Sequence, residues 1–102
     1  EALKYMHAAN VCHRDIKPSN LLVTRDLSRV VLVDFNVAKL MQDEELMYTK
    51  QAGTLSFAAP ERLLDNGSYT FKVDMWAAGI VLFMLLEGSH PFDSESSVKL
   101  FK

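Results

Sequence analysis

The sequence has one cysteine, three prolines and four glycines among 102 residues, and it has no excess of either charge. The single cysteine, Cys12, can form no disulfide within the chain, so we expect an intracellular, reducing location, cytoplasmic or nuclear. The net charge of −2 offers no basic surface for nucleic acid. The longest apolar run, residues 75–86, is shorter than the ~20 residues of a membrane span. We therefore expect neither a nucleic-acid partner nor a membrane-spanning helix.

What is present is the composition of an ordinary globular unit, with 49% apolar and 24% charged residues. Hydrophobic periodicity and turn residues predict the elements along the chain. In order, these are the end of a helix over 1–9, a hairpin of strands 21–23 and 30–33, a polar loop over 37–59, a short helix over 60–64, a long apolar helix over 70–86 and a last helix from Ser94. The long helix is apolar on nearly every face, so we expect it to be buried. Both ends fall within helical patterns, which favours a piece of a longer protein.

The chemistry is concentrated in one loop, His13-Arg14-Asp15-Ile16-Lys17-Pro18-Ser19-Asn20, which precedes the predicted hairpin. Asp15 can accept a proton from an attacking hydroxyl group or orient it, and Lys17 can oppose negative charge on a transferring phosphoryl group. Asn20 offers a neutral oxygen to a hard cation. The alternative is a turn whose charged side chains simply face water. An acid, a base and an amide in this order favour the functional interpretation.

This loop resembles the catalytic loop of the protein kinase family, and three further motifs follow in the family's order. They are the metal-binding triplet at Asp34-Phe35-Asn36, the end of the activation segment at Ala59-Pro60-Glu61, and the start of the central buried helix at Asp74-Met75-Trp76-Ala77-Ala78-Gly79. The resemblance implies an α+β fold: part of a kinase C-terminal lobe, mainly helical, with a small β-hairpin near the catalytic loop. It assigns the catalytic loop to 13–20, the triplet to 34–36, the activation segment to 34–61 and the central helix to about 71–87. The N-terminal lobe and the end of the C-terminal lobe are expected to lie outside these residues.

The resemblance also implies that ATP and Mg²⁺ are bound. By position, Asn20 and Asp34 would be the magnesium ligands, and carboxylate and amide oxygens are suitable donors for that ion. Lys17 would lie near the γ-phosphate, Ser19 near the ribose and Leu22 under the adenine ring. Leu22 could equally be an ordinary core residue, or serve both purposes.

Carried over in the same way, Asp15 is the catalytic aspartate, and Thr54 would bond to it and to Lys17. Lys17 and the stretch 53–61 resemble the serine/threonine branch of the family, which phosphorylates hydroxyl groups of protein substrates. Residues 79–92 are weakly similar to the calcium/calmodulin-dependent kinase group. His13 would pack against Phe35 in the apolar column of the fold and act as no base.

Arg14, directly before the catalytic aspartate, points to regulation by an upstream kinase. A partly buried arginine needs a counter-charge, which a phosphate on the activation segment could supply. Thr49 is the first candidate and Tyr48 the second. The family's usual position, three residues before the glycine at Gly53, is occupied here by Lys50.

Two departures from the family pattern bear on activity. Asn36 replaces the glycine of the triplet, and asparagine is among the residues that best tolerate unusual backbone angles. None of the four glycines belongs to a G-x-G-x-x-G phosphate loop. We therefore expect the isolated 102-residue chain to be inactive, since half of the positioning apparatus of phosphoryl transfer is outside it.

Two other functions remain open from sequence. The parent protein could be a catalytically silent scaffold or allosteric binder with a kinase fold, and a glycine loop with a strand lysine upstream would argue against that. The chain could also be a truncated decoy that binds substrates or regulators of kinases.

Overall fold

A computed structural model of the chain describes residues 1–40, 55–63 and 69–92. In chain order the elements are α1 (Ala2–Ala8), β1 (Val11–Cys12), a 3₁₀ turn (Pro18–Asn20), β2 (Leu21–Val23), β3 (Val30–Leu32), β4 (Lys39–Leu40), a second 3₁₀ turn (Leu55–Phe57), α2 (Pro60–Leu63) and α3 (Lys72–Glu87). Helices and short antiparallel strands are present together, so the predicted α+β class is confirmed. The predicted helix from Ser94 and the candidate residues Tyr48, Thr49 and Thr54 lie outside the described residues.

The predicted hairpin is confirmed, with β2 antiparallel to β3. Leu21 pairs with Leu32 and Val23 with Val30, so the strand ends that adjoin the catalytic loop and Asp34 lie side by side. Three β-branched or aliphatic residues on each strand suit this extended pairing. The hairpin therefore brings the residues before β2 close to those after β3.

The turn of the hairpin is organised by the carboxylate of Asp26. It accepts hydrogen bonds from the Thr24 hydroxyl at 2.7 Å, from the Ser28 hydroxyl at 2.7 Å and from the Ser28 backbone N–H at 3.1 Å. The bonds from Ser28 and then Thr24 lower the pKa of Asp26 to about 2, because they favour the charged form. Leu27 takes a left-handed φ of 61° at the tip. This aspartate serves the turn, at the end of the hairpin opposite the catalytic loop.

A second small sheet, β1 with β4, was not predicted. Val11 pairs with Leu40 and Cys12 with Lys39 in antiparallel register. Strands of two residues carry no measurable alternation, and the residues after the triplet read as loop. The pairing fixes the chain just before the catalytic loop to the chain just after the triplet. Helix α1 leads into this sheet through Asn10, whose φ of 60° is the left-handed stop expected of it.

Two apolar clusters of buried residues lie against α3. One contains Cys12, Ala59, Tyr69 and Val73, and the other contains Ile16, Ala77 and Val81. Val73, Ala77 and Val81 are four residues apart, so they form one stripe along the helix. This stripe joins the catalytic loop to the end of the predicted activation segment.

The prediction that this long helix is buried on nearly every face is wrong for this chain. Five large apolar side chains are exposed by 42 to 77%: Met75, Leu82, Phe83, Leu85 and Leu86. The described elements pack along one side of α3 only, so its apolar composition exceeds what they cover. The helix ends at Gly88 in a left-handed cap with φ of 78°, a conformation that glycine adopts without steric cost. In the described ranges, no helix combines the length and apolar character that crossing a bilayer requires.

Candidate active site

The loop from 13 to 20 is fixed from below by a buried carboxylate. Asp74, in the first turn of α3, has an exposed fraction of 1%. Its oxygens accept the backbone N–H of His13 at 2.9 Å and that of Arg14 at 2.9 Å. A carboxylate held by backbone N–H groups satisfies buried donors that would otherwise be costly. Asp74 therefore anchors the loop through its backbone, and Arg14 is held at a φ of 70°.

Two further donors meet the same carboxylate. The Nε2 of His7, on α1, lies 2.9 Å from Asp74 Oδ2, and the Cys12 thiol donates to the same oxygen at 3.5 Å. Burial, followed by the adjacent Asp74 charge, raises the pKa of the Cys12 thiol, so this cysteine remains a neutral donor. The role of His7 was missed because nothing local in the sequence of α1 indicates a partner 67 residues away.

His13 links the backbones on either side of the site. A backbone carbonyl can only accept, so the Nε2–H of His13 donates to the oxygen of Val33 at 3.0 Å. Its Nδ1 then accepts the N–H of Asp15 at 3.1 Å. The ring is fully buried and meets Phe35 edge-on, with centroids 5.0 Å apart. Both ring nitrogens are occupied in packing and positioning, which agrees with the expectation that His13 is no base.

Asp15, Lys17 and Asn20 converge. The Nδ2 of Asn20 donates to the backbone oxygen of Asp15 at 2.8 Å and to its Oδ2 at 3.3 Å. The ammonium of Lys17 lies 3.8 Å from the same Oδ2. Asn20 is buried, with an exposed fraction of 5%. Since its described bonds use the amide nitrogen, its Oδ1 is the atom with which it would meet a cation.

Asp34 follows β3 and is tied to this cluster through both neighbours. The N–H of Val33 donates to the backbone oxygen of Asn20 at 2.9 Å, and Phe35 packs on His13. Asp34 itself has a left-handed φ of 62°, and its exposed carboxylate accepts the N–H of Asn36 at 3.2 Å through Oδ1. The structure thus brings the candidate magnesium ligands, Asn20 and Asp34, onto adjoining chain segments.

Within the triplet, the residue with a left-handed φ is Asp34, and Asn36 is not among the described residues with a positive φ. A glycine is therefore not required at this position for steric reasons. The contact that Asn36 makes with the carboxylate of Asp34 comes from its backbone N–H, which a glycine would supply equally.

The donor set fits magnesium better than a metal that needs a protein cage. Within 1–40, 55–63 and 69–92, no three His, Cys, Asp or Glu side chains converge as a metal-binding group. Magnesium commonly uses one or two protein oxygens and completes its shell with water and substrate phosphates. One carboxylate from Asp34 and one amide oxygen from Asn20 meet that requirement.

The remaining predicted nucleotide contacts lie at the surface. Ser19 is exposed in the 3₁₀ turn, and 55% of the Leu22 side chain is exposed on β2. Leu22 is therefore not an ordinary core residue of the described chain. An exposed aliphatic side chain beside the candidate metal ligands leaves apolar area available to a planar base.

Two arginines, one in the loop and one on α2, make hydrogen bonds around it. The Nε of Arg14 donates to the backbone oxygen of Val37 at 2.6 Å, and its Nη1 to the hydroxyl of Tyr69 at 3.4 Å. Arg62, on α2, donates from Nη1 to the backbone oxygen of Arg14 at 3.0 Å. Neither arginine pairs with a carboxylate in the described part of the chain. Arg62 was not singled out from the sequence, where it reads as an exposed helix residue.

Comparison with known proteins gives one consistent result. A family model described as "Protein kinase domain" matches residues 1–102. A calcium/calmodulin-dependent protein kinase of Emericella nidulans is 42% identical over 104 residues, covering 100% of this chain and 25% of the relative. The ovarian-specific serine/threonine-protein kinase Lok of Drosophila melanogaster is 43% identical over 98 residues, covering 92% of this chain and 20% of the relative.

More distant relatives give the same picture. The probable serine/threonine-protein kinase HSL1 of Saccharomyces cerevisiae is 38% identical over 100 residues, covering 98% of this chain and 6% of the relative. The chain spans a quarter or less of the length of these curated relatives. The similarity to calcium/calmodulin-dependent kinases that residues 79–92 indicated is confirmed as a similarity.

Proposed function

The chain belongs to the protein kinase family, and from that premise we propose that the protein containing it is a serine/threonine kinase. It transfers the γ-phosphate of Mg-ATP to serine and threonine hydroxyls of protein substrates. Because the sequence is similar to calcium/calmodulin-dependent kinases, we place the enzyme in that group of the family. ATP use and the reduced thiol of Cys12 favour an intracellular location, cytoplasmic or nuclear.

One observation carries this proposal. The side chains of Asp15, Lys17 and Asn20 meet within hydrogen-bond or ion-pair distance, and Val33 joins Asn20 to the residue before Asp34. A turn whose charges merely face water has no reason to bury the amide of Asn20 or to tie two loops together. The arrangement supports an enzyme over a scaffold.

We assign the roles as follows. Asp15 orients the substrate hydroxyl and accepts its proton, while Lys17 opposes the charge of the transferring phosphoryl group. Asn20 and Asp34 hold magnesium, which when bound neutralises charge on the phosphates. Ser19 and Leu22 would contact the ribose and the adenine ring, and Thr54, which lies outside the described residues, is assigned the role of bonding to Asp15 and Lys17.

The test is Asp34→Asn in the full-length protein. We expect phosphotransfer to a protein substrate to fall by about 100-fold or more, because a charged ligand of the metal is lost. Asparagine tolerates the left-handed backbone at this position, so the fold should persist. The measurement is the initial rate against magnesium concentration at fixed ATP.

Asp26→Asn is the matched control, since it makes the same chemical change in the exposed hairpin turn. We expect it to leave the rate within about twofold, as an exposed surface substitution should. A wild-type protein that folds but transfers no phosphate would favour the scaffold. An active enzyme in which Asp34→Asn retains its rate would contradict the metal assignment alone.

Regulation by an upstream kinase at Thr49 belongs to the same proposal. Arg14 has two neutral acceptors in the described chain, the carbonyl of Val37 and the hydroxyl of Tyr69, and a phosphate would be a stronger partner. We expect treatment with an activating kinase to raise activity several-fold in the wild type but not in Thr49→Ala, with Tyr48→Phe as the control. Equal activation of Thr49→Ala would shift the site to another residue.

A further inference from the structure

Arg62 is buried, although arginine on a short helix of this kind is usually exposed to solvent. It lies on the single turn of α2 with an exposed fraction of 4%. Its guanidinium carbon is 5.3 Å from the centre of the Tyr69 ring, which itself is buried. The Nε of Arg62 is buried and has no hydrogen-bond partner among the residues that the structure describes.

Burying this guanidinium carries a cost. An unsatisfied donor on a buried cation is unfavourable, and a ring face compensates for it only in part. An apolar residue of similar length would pack at the same place without that cost. The arginine therefore has a reason to be there beyond packing.

The one described hydrogen bond of Arg62 gives that reason. Its Nη1 donates to the backbone oxygen of Arg14 at 3.0 Å. That oxygen belongs to the peptide group that leads into Asp15, and the N–H of the same peptide group donates to Nδ1 of His13 at 3.1 Å. Both polar atoms of the peptide before Asp15 are thus held by side chains.

The backbone at this point needs such support. Arg14 has a φ of 70°, in the left-handed region that is unfavourable for a residue other than glycine. Its own N–H is held by Asp74 at 2.9 Å. Asp74 therefore accepts the N–H of Arg14, and Arg62 donates to its carbonyl. The next residue after Arg14 is Asp15.

We propose that Arg62 is a positioning residue for Asp15: its bond to the carbonyl of Arg14 fixes the peptide plane that aims the Asp15 carboxylate. This rests on the proposed kinase function. Arg62 is buried and acts through the backbone of Arg14, so its loss should lower turnover and leave nucleotide binding in place.

The experiment compares Arg62→Met with Arg62→Lys in the full-length kinase. Methionine keeps the apolar stem and removes the donor, whereas lysine keeps the positive charge and an ammonium group that can donate to the carbonyl of Arg14. We expect Arg62→Met to lower kcat, measured per ATP-binding site, by about 10- to 100-fold, since small misplacements of a reacting group have effects of that size. The KM for Mg-ATP should stay within about twofold of the wild-type value. We expect Arg62→Lys to recover kcat to within about threefold.

Leu63→Ala, on the same helix turn, is the control for a purely structural role. It should lower the melting temperature but leave kcat per ATP-binding site within about twofold. A kcat in folded Arg62→Met that matches the wild type would overturn the proposal, as would a loss that lysine does not recover. If Arg62→Met does not fold, Arg62→Lys decides alone, and a kcat more than tenfold low would overturn it. An inactive wild type would refute the kinase function itself, which separates the two failures.

Discussion

Replacing Asp74 with alanine is expected to destabilise the kinase domain by about 3 kcal/mol or more and to remove most of its activity. The substitution leaves the backbone N–H groups of His13 and Arg14 without their acceptor in a buried site. Each orphaned buried donor costs about 1–3 kcal/mol. His7 and Cys12 lose the same partner, which adds to the loss.

The effect reaches the candidate site because Asp74 is the acceptor that holds the N–H of Arg14, while Arg62 holds only the carbonyl of that residue. Without the hydrogen bond from its N–H to Asp74, Arg14 is no longer held at a φ of 70°, and its backbone can relax toward ordinary angles. The carboxylate of Asp15 would then move away from its partners. Activity should therefore fall further than the folded fraction does.

The measurement for Asp74→Ala is a thermal melt of the full-length kinase beside its rate. A loss of 3 kcal/mol corresponds to a drop of roughly 6–12 °C for a domain of 150 to 250 residues. Asp26→Ala, which removes an exposed carboxylate, is the control and should melt within a few degrees of the wild type. An Asp74→Ala protein that melts with the wild type would show that the loop is held by other contacts.

The parts of the site that could be predicted from sequence are those whose residues are close together along the chain. Eight consecutive residues carry Asp15, Lys17 and Asn20, so their proximity follows from one tight loop. The hairpin was equally readable, because two short β-branched runs flank a polar turn. Asp34 follows the second strand, and strand pairing alone brings it beside the loop.

What could not be predicted depends on contacts distant in sequence. The bond from Arg62 to the carbonyl of Arg14 spans 48 residues, and that from His7 to Asp74 spans 67. A buried arginine and an exposed one look alike on a four-residue helix. Strand β4 was missed for a related reason, since it exists only by pairing with β1.

The burial of α3 was predicted wrongly because composition fixes how apolar a helix is and not which side meets a neighbour. Val73, Ala77 and Val81 are buried, whereas Leu85 and Leu86 are exposed by 77% and 75%. All five are equally acceptable core residues. Only the positions of the surrounding elements separate them.

The second large effect is expected from Asp15→Asn, which removes the proposed proton acceptor and keeps the shape of the side chain. We expect kcat for protein phosphorylation to fall by about 10²- to 10⁴-fold, the range that positioned general bases contribute. The loop should remain folded, because Asn20 still donates to the backbone oxygen of Asp15 at 2.8 Å. The lost ion pair with Lys17, 3.8 Å long and partly exposed, contributes little to stability.

The contrast with Asp34→Asn makes the Asp15→Asn result specific. Asp15 is proposed to act on the substrate hydroxyl and not on the metal, so KM for Mg-ATP should stay within about threefold and the magnesium dependence should not change. In Asp34→Asn, the magnesium dependence itself should shift. Single-turnover phosphotransfer with a melting curve for each variant distinguishes these cases. If Asp15→Asn keeps its rate within tenfold while Asp34→Asn loses it, the hydroxyl is activated by another group, because the metal would then be required and the carboxylate at Asp15 would not.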